Sequence, residues 1–469
     1  MSRKSYLAKN TALFALNNIG TRLITFLLVP LYTYAFTTAE YGSIDLVITI
    51  STIFVPFITI NIGEAVMRFC LDKDARKNDI MSIGLLFMLL SFALGSSIIL
   101  VLQFFPKVTI NYALIYLFCV FQGIHVTLTC YLRGQELLAH YAISNILLSF
   151  FSAVFNILFI VILKYGVSSY FIAYILAYTI SCSYCFFAGR VYQVFPRFHI
   201  DSKLMKEMVQ YSIVLVPNSF MWWVMNSSDH VMVTSMISIA ANGIYAISYK
   251  IPSIVSALSL VFNQAWMFSA ISEEESEDKV EFHRNMFDKL MIFQLLVTVI
   301  LLCLTKPILK IYVEDSFYEA WQYVPYLLVG NFFLTLGTYF STFYMVHKDS
   351  KGILKTASAG ALCNVLLNLL FIPFLQIHGA ALATLISYFL VFLYRFLDTR
   401  RYLIIHAFGK KYVIGYLLLF ATAITVFIPG ITGIIIQLVL LALAFYLYRS
   451  FLLFSKNLLK QATRKLKRS

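Results

Sequence analysis

The chain has 469 residues, 60% of them hydrophobic and only 12% charged, with 36 Lys and Arg against 22 Asp and Glu. Soluble chains carry about twice that charged fraction, which argues against a cytosolic enzyme or a nucleic-acid-binding domain and indicates a polytopic membrane protein. The net charge of +14 must therefore be read loop by loop.

The first apolar stretch, Leu13 to Phe36, is long enough to cross a bilayer and carries Arg22 in its middle. From a helix start near Thr11, Arg22 lies roughly 16 Å along the axis, close to the midplane of a ~30 Å hydrocarbon layer. Asn18, Arg22 and Thr25 recur at helical spacing and form one polar stripe. A central Arg costs about 2.5 to 3.5 kcal/mol to insert, so the stripe is expected to face a cavity or a polar partner. The segment is too long for a signal peptide and lacks a small-residue cleavage site, so it is expected to be retained as a helix.

Further stretches long enough to span follow at about 44–68, 80–105, 112–133, 142–163, 167–189, 209–236, 243–270, 287–305, 321–346, 353–375, 378–398, 411–428 and 430–454, making about fourteen. The connections are short, and the longest polar one, Ser272 to Arg284, is too small to fold alone. Counted by alternate connections, thirty Lys and Arg fall on one side and four (Lys107, Lys164, Lys306, Lys310) on the other, with Arg22 and Lys250 inside helices. The cation-rich side is cytoplasmic, which places both termini there.

An internal repeat supports two halves. Glu40-Tyr41-Gly42-Ser43-Ile44 resembles Ala241-Asn242-Gly243-Ile244-Tyr245 at an offset of 201 residues. Asn156-Ile157-Leu158-Phe159-Ile160, followed by Gly166, echoes Asn368-Leu369-Leu370-Phe371-Ile372, followed by Gly379. Six helices per half is an even number, so the halves are parallel repeats about an axis along the membrane normal. The expected fold is all-α: a six-helix lobe over 1–200, a second over 201–405, a central cavity between them, and an added helix pair with a basic tail over 406–469. The turn Ile428-Pro429-Gly430 joins that pair.

Ionisable residues within the spans are few: Arg22, Asp45, Glu64, Arg68, Asp229, Lys250, His125 and His230. Most lie in helices 1, 2, 7 and 8, where the lobes are expected to meet. On helix 2, Asn61, Glu64 and Arg68 sit at i, i+3 and i+7 and share a face near the cytoplasmic end, and Glu64 precedes Arg68 by the spacing of an intrahelical ion pair. Such a pair either lets both groups survive near the interface or presents Arg68 to an anionic headgroup with Glu64 as modulator. Asp229 and Lys250 pose the same choice. Arg22 has no carboxylate three or four residues away and is the strongest candidate for substrate contact or gating.

His125 is read as a structural hydrogen-bonding group, and Asn364 with Asn368, and Asn145 with Asn156, as glue between helices. Cys182-x-x-Cys185 lies inside an apolar helix and reads as packing. Asp72-x-Asp74 lacks a nucleotide-binding domain around it, and no P-loop, zinc cluster or Ser/His/Asp arrangement is present in the sequence. No cofactor and no enzymatic activity are expected, only coupling to H+, Na+ or the membrane potential through Glu64, Asp45 or Asp229.

Asn10-Thr11, Pro30-Leu31-Tyr32-Thr33, Glu40-Tyr41-Gly42 with Asp45, and Arg68-Phe69 followed by Leu71-Asp72 resemble the start of Wzx-type polysaccharide flippases. These belong to the superfamily of multidrug, oligosaccharidyl-lipid and polysaccharide exporters. The resemblance implies movement of an undecaprenyl-diphosphate-linked oligosaccharide to the outer leaflet of a bacterial cytoplasmic membrane by alternating access. It implies a lipid-linked oligosaccharide, membrane lipids and a polysaccharide polymerase as partners, with no nucleic acid. Site residues are then Arg22, Arg68, Lys250 and Asn18 for substrate, and Glu64, Asp45 and Asp229 for coupling. Two other readings stand beside it: a drug/cation antiporter of the same superfamily, which would want an acidic cavity, and a membrane-embedded polymerase or ligase, which would want a sizeable outer loop.

Overall fold

The computed structural model describes residues 20–72, 74–102, 111–272, 276–347, 349–449 and 451. Asn18, the start of the first span, Lys107 and the basic tail lie outside the described residues. Those that are described form helices and turns with no β-strand, as a bilayer demands of a chain that must satisfy its backbone internally. Within the described residues, each stretch expected to span is occupied mainly by helix. Among the described residues, eight helices are by themselves long and apolar enough to cross a membrane, or nine if one bent pair is joined. The chain divides into two compact units, Met1–Ala246 and Ile247–Ser469.

The first unit opens with α1 (20–35) and α2 (Thr38–Ile58). Thr37 and Glu40 form a capping box: the Glu40 amide donates to Thr37 Oγ1 (3.3 Å) and the Thr37 amide to Glu40 Oε2 (2.9 Å), satisfying donors a helix start leaves free. Helix 2 is not continuous. The Asn61 amide donates to the Pro56 carbonyl (3.0 Å) and the Ile60 amide to the Phe57 carbonyl (3.3 Å), the two bonds of a Schellman stop. Ile60 and Asn61 are both left-handed, at φ 52° and 54°. Asn tolerates that region, whereas a β-branched Ile pays for it in strain. The chain resumes as α3 (Ile62–Cys70).

α4 (Lys77–Leu102), α5 (Tyr112–Gly134), α6 (Leu138–Asn156, prolonged by a π-helical turn over Ile157–Ile162) and α7 (Ser168–Ala188) complete this half. Lipid is as apolar as Leu, so these helices are held by dispersion in close packing rather than by expulsion of water. Ile62, Val66, Met81, Ile83, Leu132, Val191 and Met208 are fully enclosed where α3, α4 and α5 meet the connection to α8. α8 (Ser202–Met236) starts at Asp201, whose Oδ1 accepts from the Lys203 and Leu204 amides. α9 (Ile239–Ser248) follows after two residues.

The second unit contains α10 (Lys250–Ser272), α11 (Lys279–Tyr312), α12 (Val324–Val346), α13 (Ser350–Asp398), α14 (Lys410–Thr425) and α15 (Gly430–Leu447). α13 breaks at Gln376 (φ 51°, ψ −129°), between the two stretches expected to span. A side chain on Gly379 would strike the backbone of Phe371, so the tight return needs glycine there. Gly430 (φ 72°) turns α14 into α15, as the Pro-Gly pair predicts. Phe332, Phe333, Phe340 and Phe392 make the core between α12 and α13. Ile431, Ile434, Ile435, Leu438 and Val439 of α15 remain exposed, the surface expected of a lipid-facing helix.

Asp201 also pairs with Arg76 at the start of α4. The Arg76 hydrogen bond, together with the two backbone amides, holds the Asp201 carboxyl below its usual range. A depressed carboxyl stabilises the fold at pH values above the unfolded carboxyl pKa and loses that contribution as pH falls through the folded one. Asp201→Asn is therefore expected to unfold at a lower temperature than the parent at pH 7, with the gap closing below about pH 4. Melting curves in detergent at the two pH values test this, and a pH-independent gap contradicts it.

Candidate functional site

Helices α2 and α9 cross at their first turns. A Cβ on Gly42 would collide with the Ile239 carbonyl, and one on Gly243 with the Thr38 carbonyl. Both overlaps are with backbone, so only glycine permits the crossing. These are the glycines aligned by the 201-residue repeat, and Thr38 and Ile239 are related by the same offset. The caps match too: the Ala241 amide donates to Ser238 Oγ (3.1 Å), as the Glu40 amide does to Thr37.

A buried polar network is built on this crossing. Asp45, about two turns into α2, faces His230 of α8: Nδ1 lies 2.8 Å from Asp45 Oδ2 and 3.1 Å from Asn242 Oδ1. With two acceptor oxygens in front of it, that nitrogen carries the hydrogen. The Asn242 amide nitrogen donates to the Gly42 carbonyl (3.1 Å) and to Asp45 Oδ2 (3.2 Å). Asp229 accepts from the Tyr245 hydroxyl (2.6 Å) and from the His230 amide (3.1 Å). Asp229 and Asn242 are buried at 3% and 0% exposure, where unpaired polar groups would be costly.

Two carboxylates expected at the seam, Asp45 and Asp229, are thus brought together through His230. His230, Asn242 and Tyr245 had no assigned role in the sequence reading. The signal available for Asn242 and Tyr245 was their place in the repeated word beside Gly243.

Glu64 and Arg68 do not pair. Arg68 bonds Asp72 at 2.6 Å on the exposed surface, while Glu64 lies 3.7 Å from Arg133 of α5. Both lie in the continuous α3, so their spacing is intact, and each group is taken by another partner instead. The break at Ile60–Asn61 acts on Asn61: it removes Asn61 from the face it was expected to share and lets its side chain donate to Ser219 Oγ (3.0 Å). Glu64, in the first turn of the short α3, looks across to α5.

Arg22 is exposed and makes no ion pair among the described residues, and its stripe neighbour Thr25 donates back to the Thr21 carbonyl (3.0 Å). Lys250 opens α10 just after a 45° bend from α9. His125 is buried, with Nε2 3.0 Å from Ser181 Oγ. Three of the four asparagines expected to join helices instead donate to carbonyls of their own helix, Asn145 to Tyr141, Asn156 to Ser152 and Asn368 to Asn364, and Asn364 accepts from Asn368.

The described residues build an all-helical fold with several apolar spans, and solved membrane transporters share it. A lipid II flippase, MurJ, in an inward closed conformation superposes with a TM-score of 0.63 at 16% identity, covering 96% of this chain and 100% of that one. An inward-facing multidrug resistance MATE family transporter of the MOP superfamily gives 0.65 at 11%, covering 87% and 95%. A MOP superfamily transporter from Pyrococcus furiosus gives 0.56 at 14%, covering 84% and 92%. The fold is that of the MOP superfamily. The chain itself belongs to the polysaccharide biosynthesis protein family, whose sequence model matches residues 7–273. No curated protein matches it.

Two outcomes follow from the crossing. Gly42→Ala or Gly243→Ala is expected to force α2 from α9, so that a cysteine placed at Ser238 reacts faster with a membrane-impermeant maleimide than it does in the parent background. Unchanged labelling contradicts the contact. Asp45→Ala strips His230 and Asn242 of a shared acceptor and is expected to cost about 3 kcal/mol, the scale for breaking a buried pair. Equilibrium unfolding in detergent reads it, and a loss under about 0.5 kcal/mol, the size of an ordinary surface substitution, refutes it.

Proposed function

We propose that the protein is a flippase that carries undecaprenyl-diphosphate-linked oligosaccharide repeat units from the cytoplasmic to the outer leaflet of a bacterial inner membrane by alternating access. The observation that carries this reading is the conjunction of membership in the polysaccharide biosynthesis family with a fold shared along almost the whole chain with a lipid II flippase. The drug-transporter fold is shared over less of the chain. On this reading the protein is a transporter, not an enzyme. Its lobes are 1–200 and 201–405, with 406–469 as an added helix pair and cytoplasmic tail, and a polysaccharide polymerase works beside it.

Arg68 is the first cation the diphosphate meets. Its exposed bond to Asp72 contributes little, so a doubly charged headgroup displaces the carboxylate at small cost. Arg22, without an ion pair among the described residues, receives the diphosphate next, alongside Asn18, and Lys250 assists before release. Arg133, held by Glu64, adds a cation that a protonated Glu64 would release. Asp45, Asp229 and Glu64 are the groups through which a proton or sodium gradient couples to the cycle.

Arg22→Ala is expected to abolish surface polymer in a deletion strain while membrane abundance of the protein stays at the parent level. Polymer export within twofold of the parent overturns the assignment.

A further inference from the structure

The second unit holds a cavity of about 570 Å³ between α11 and the α14–α15 pair. It opens at the cation-poor face of the chain, where four of the 36 Lys and Arg fall, and two of those four, Lys306 and Lys310, line it. They stand one turn apart on α11. Among the described residues neither makes an ion pair, and no carboxylate lines the cavity. Lys306 Nζ sits 4.1 Å from the Trp321 ring centre and Lys310 Nζ 5.7 Å from that of Tyr318, so both cations rest on aromatic faces of the kind found at headgroup depth.

Deeper in the same cavity lies Gln437 of α15, 8% exposed. Its carbonyl faces Cys303 Sγ at 3.7 Å, which places it about 4.5 Å further into the membrane than Lys306 by the helix rise. Its carboxamide makes no hydrogen bond among the described residues, and an unpartnered amide in a lipid-facing helix is expensive. Deeper still the walls are apolar: Ile300, Leu438 and Leu441.

Cations at the rim, an amide donor one step in and hydrocarbon beyond reproduce, in order, the phosphate, ester carbonyls and acyl chains of a membrane lipid. We propose that this cavity is a binding site for one anionic phospholipid. Lys306 and Lys310 hold its phosphate, the Gln437 carboxamide donates to an ester carbonyl, and an acyl chain lies between α11 and α15. Two cations without a lining carboxylate select an anionic headgroup over a zwitterionic one, whose amine would face Lys. This site is independent of the flippase reading.

Native mass spectrometry of the full chain in mild detergent, titrated with phosphatidylglycerol and separately with phosphatidylcholine, tests it. The parent is expected to retain one phosphatidylglycerol more tightly than phosphatidylcholine, and K306Q/K310Q to bind it about tenfold more weakly. K306R/K310R keeps the charge and is expected to keep the lipid. I434W fills the groove and is expected to lose it. K310Q alone, at an exposed position, is expected to show part of the loss should the double variant fail to fold. Equal retention of the two lipids, undiminished phosphatidylglycerol binding in K310Q and I434W, or preferential retention of an added polyprenyl phosphate each overturns the proposal.

Discussion

The contact between the first turns of α2 and α9 constrains the rest of the first unit. Two helix backbones touch because neither residue at the crossing has a side chain. Once they touch, Asn242 is close enough for its amide to reach both the Gly42 carbonyl and Asp45. His230 is then held from two sides, and Asp229 is kept by Tyr245 and the His230 amide. A methyl group at the crossing would separate groups that the network holds within 3.2 Å. Steric permission at glycine thus comes before the electrostatics.

The hydrocarbon surroundings explain why polar side chains in this chain look inward or back along their own helix. Asparagines on α6 and α13 return to carbonyls of the preceding turn, and Thr25 does the same on α1. The break after Ile58 follows the same rule: carbonyls of Phe57 and Pro56 that would be left over at the helix end are taken up by the Ile60 and Asn61 amides. The cost is a left-handed Ile60. Beyond the break, Glu64 of α3 faces Arg133, a residue sixty-nine positions further along.

Span positions were legible in the sequence because apolar length is a one-dimensional property, and the turns at Gln376–Gly379 and Pro429–Gly430 because proline and glycine punctuate locally. The carboxylates of the seam were legible as charges where charge is dear. Their partners were not, since the pairing of Asp45 with His230 joins residues 185 positions apart and depends on a crossing that no local pattern reports. The Glu64–Arg68 expectation failed although α3 is continuous through both, because spacing permits a pair without excluding competitors, and Asp72 and Arg133 took the two groups. The face shared with Asn61 failed because the Schellman stop has a β-branched residue where Gly is the usual signal, so nothing in Ile60-Asn61 announces it.

The repeat bears on function through the place where it lapses. At the crossing the two halves agree in backbone: Gly42 with Gly243, Thr38 with Ile239, and hydroxyl caps at Thr37 and Ser238. Side-chain chemistry does not agree. The position equivalent to Asp45 is Ala246, and the position equivalent to Asn242 is Tyr41. A symmetric backbone contact needs only small residues and would close equally well with no charge at all. Burying Asp45 and Asp229 beside it adds acceptors that His230, Asn242 and Tyr245 supply with donors. Symmetry supplies the backbone contact, and its breaking supplies the polar network. The residues that distinguish this crossing from a bare backbone contact are therefore those that the duplicated pattern does not share.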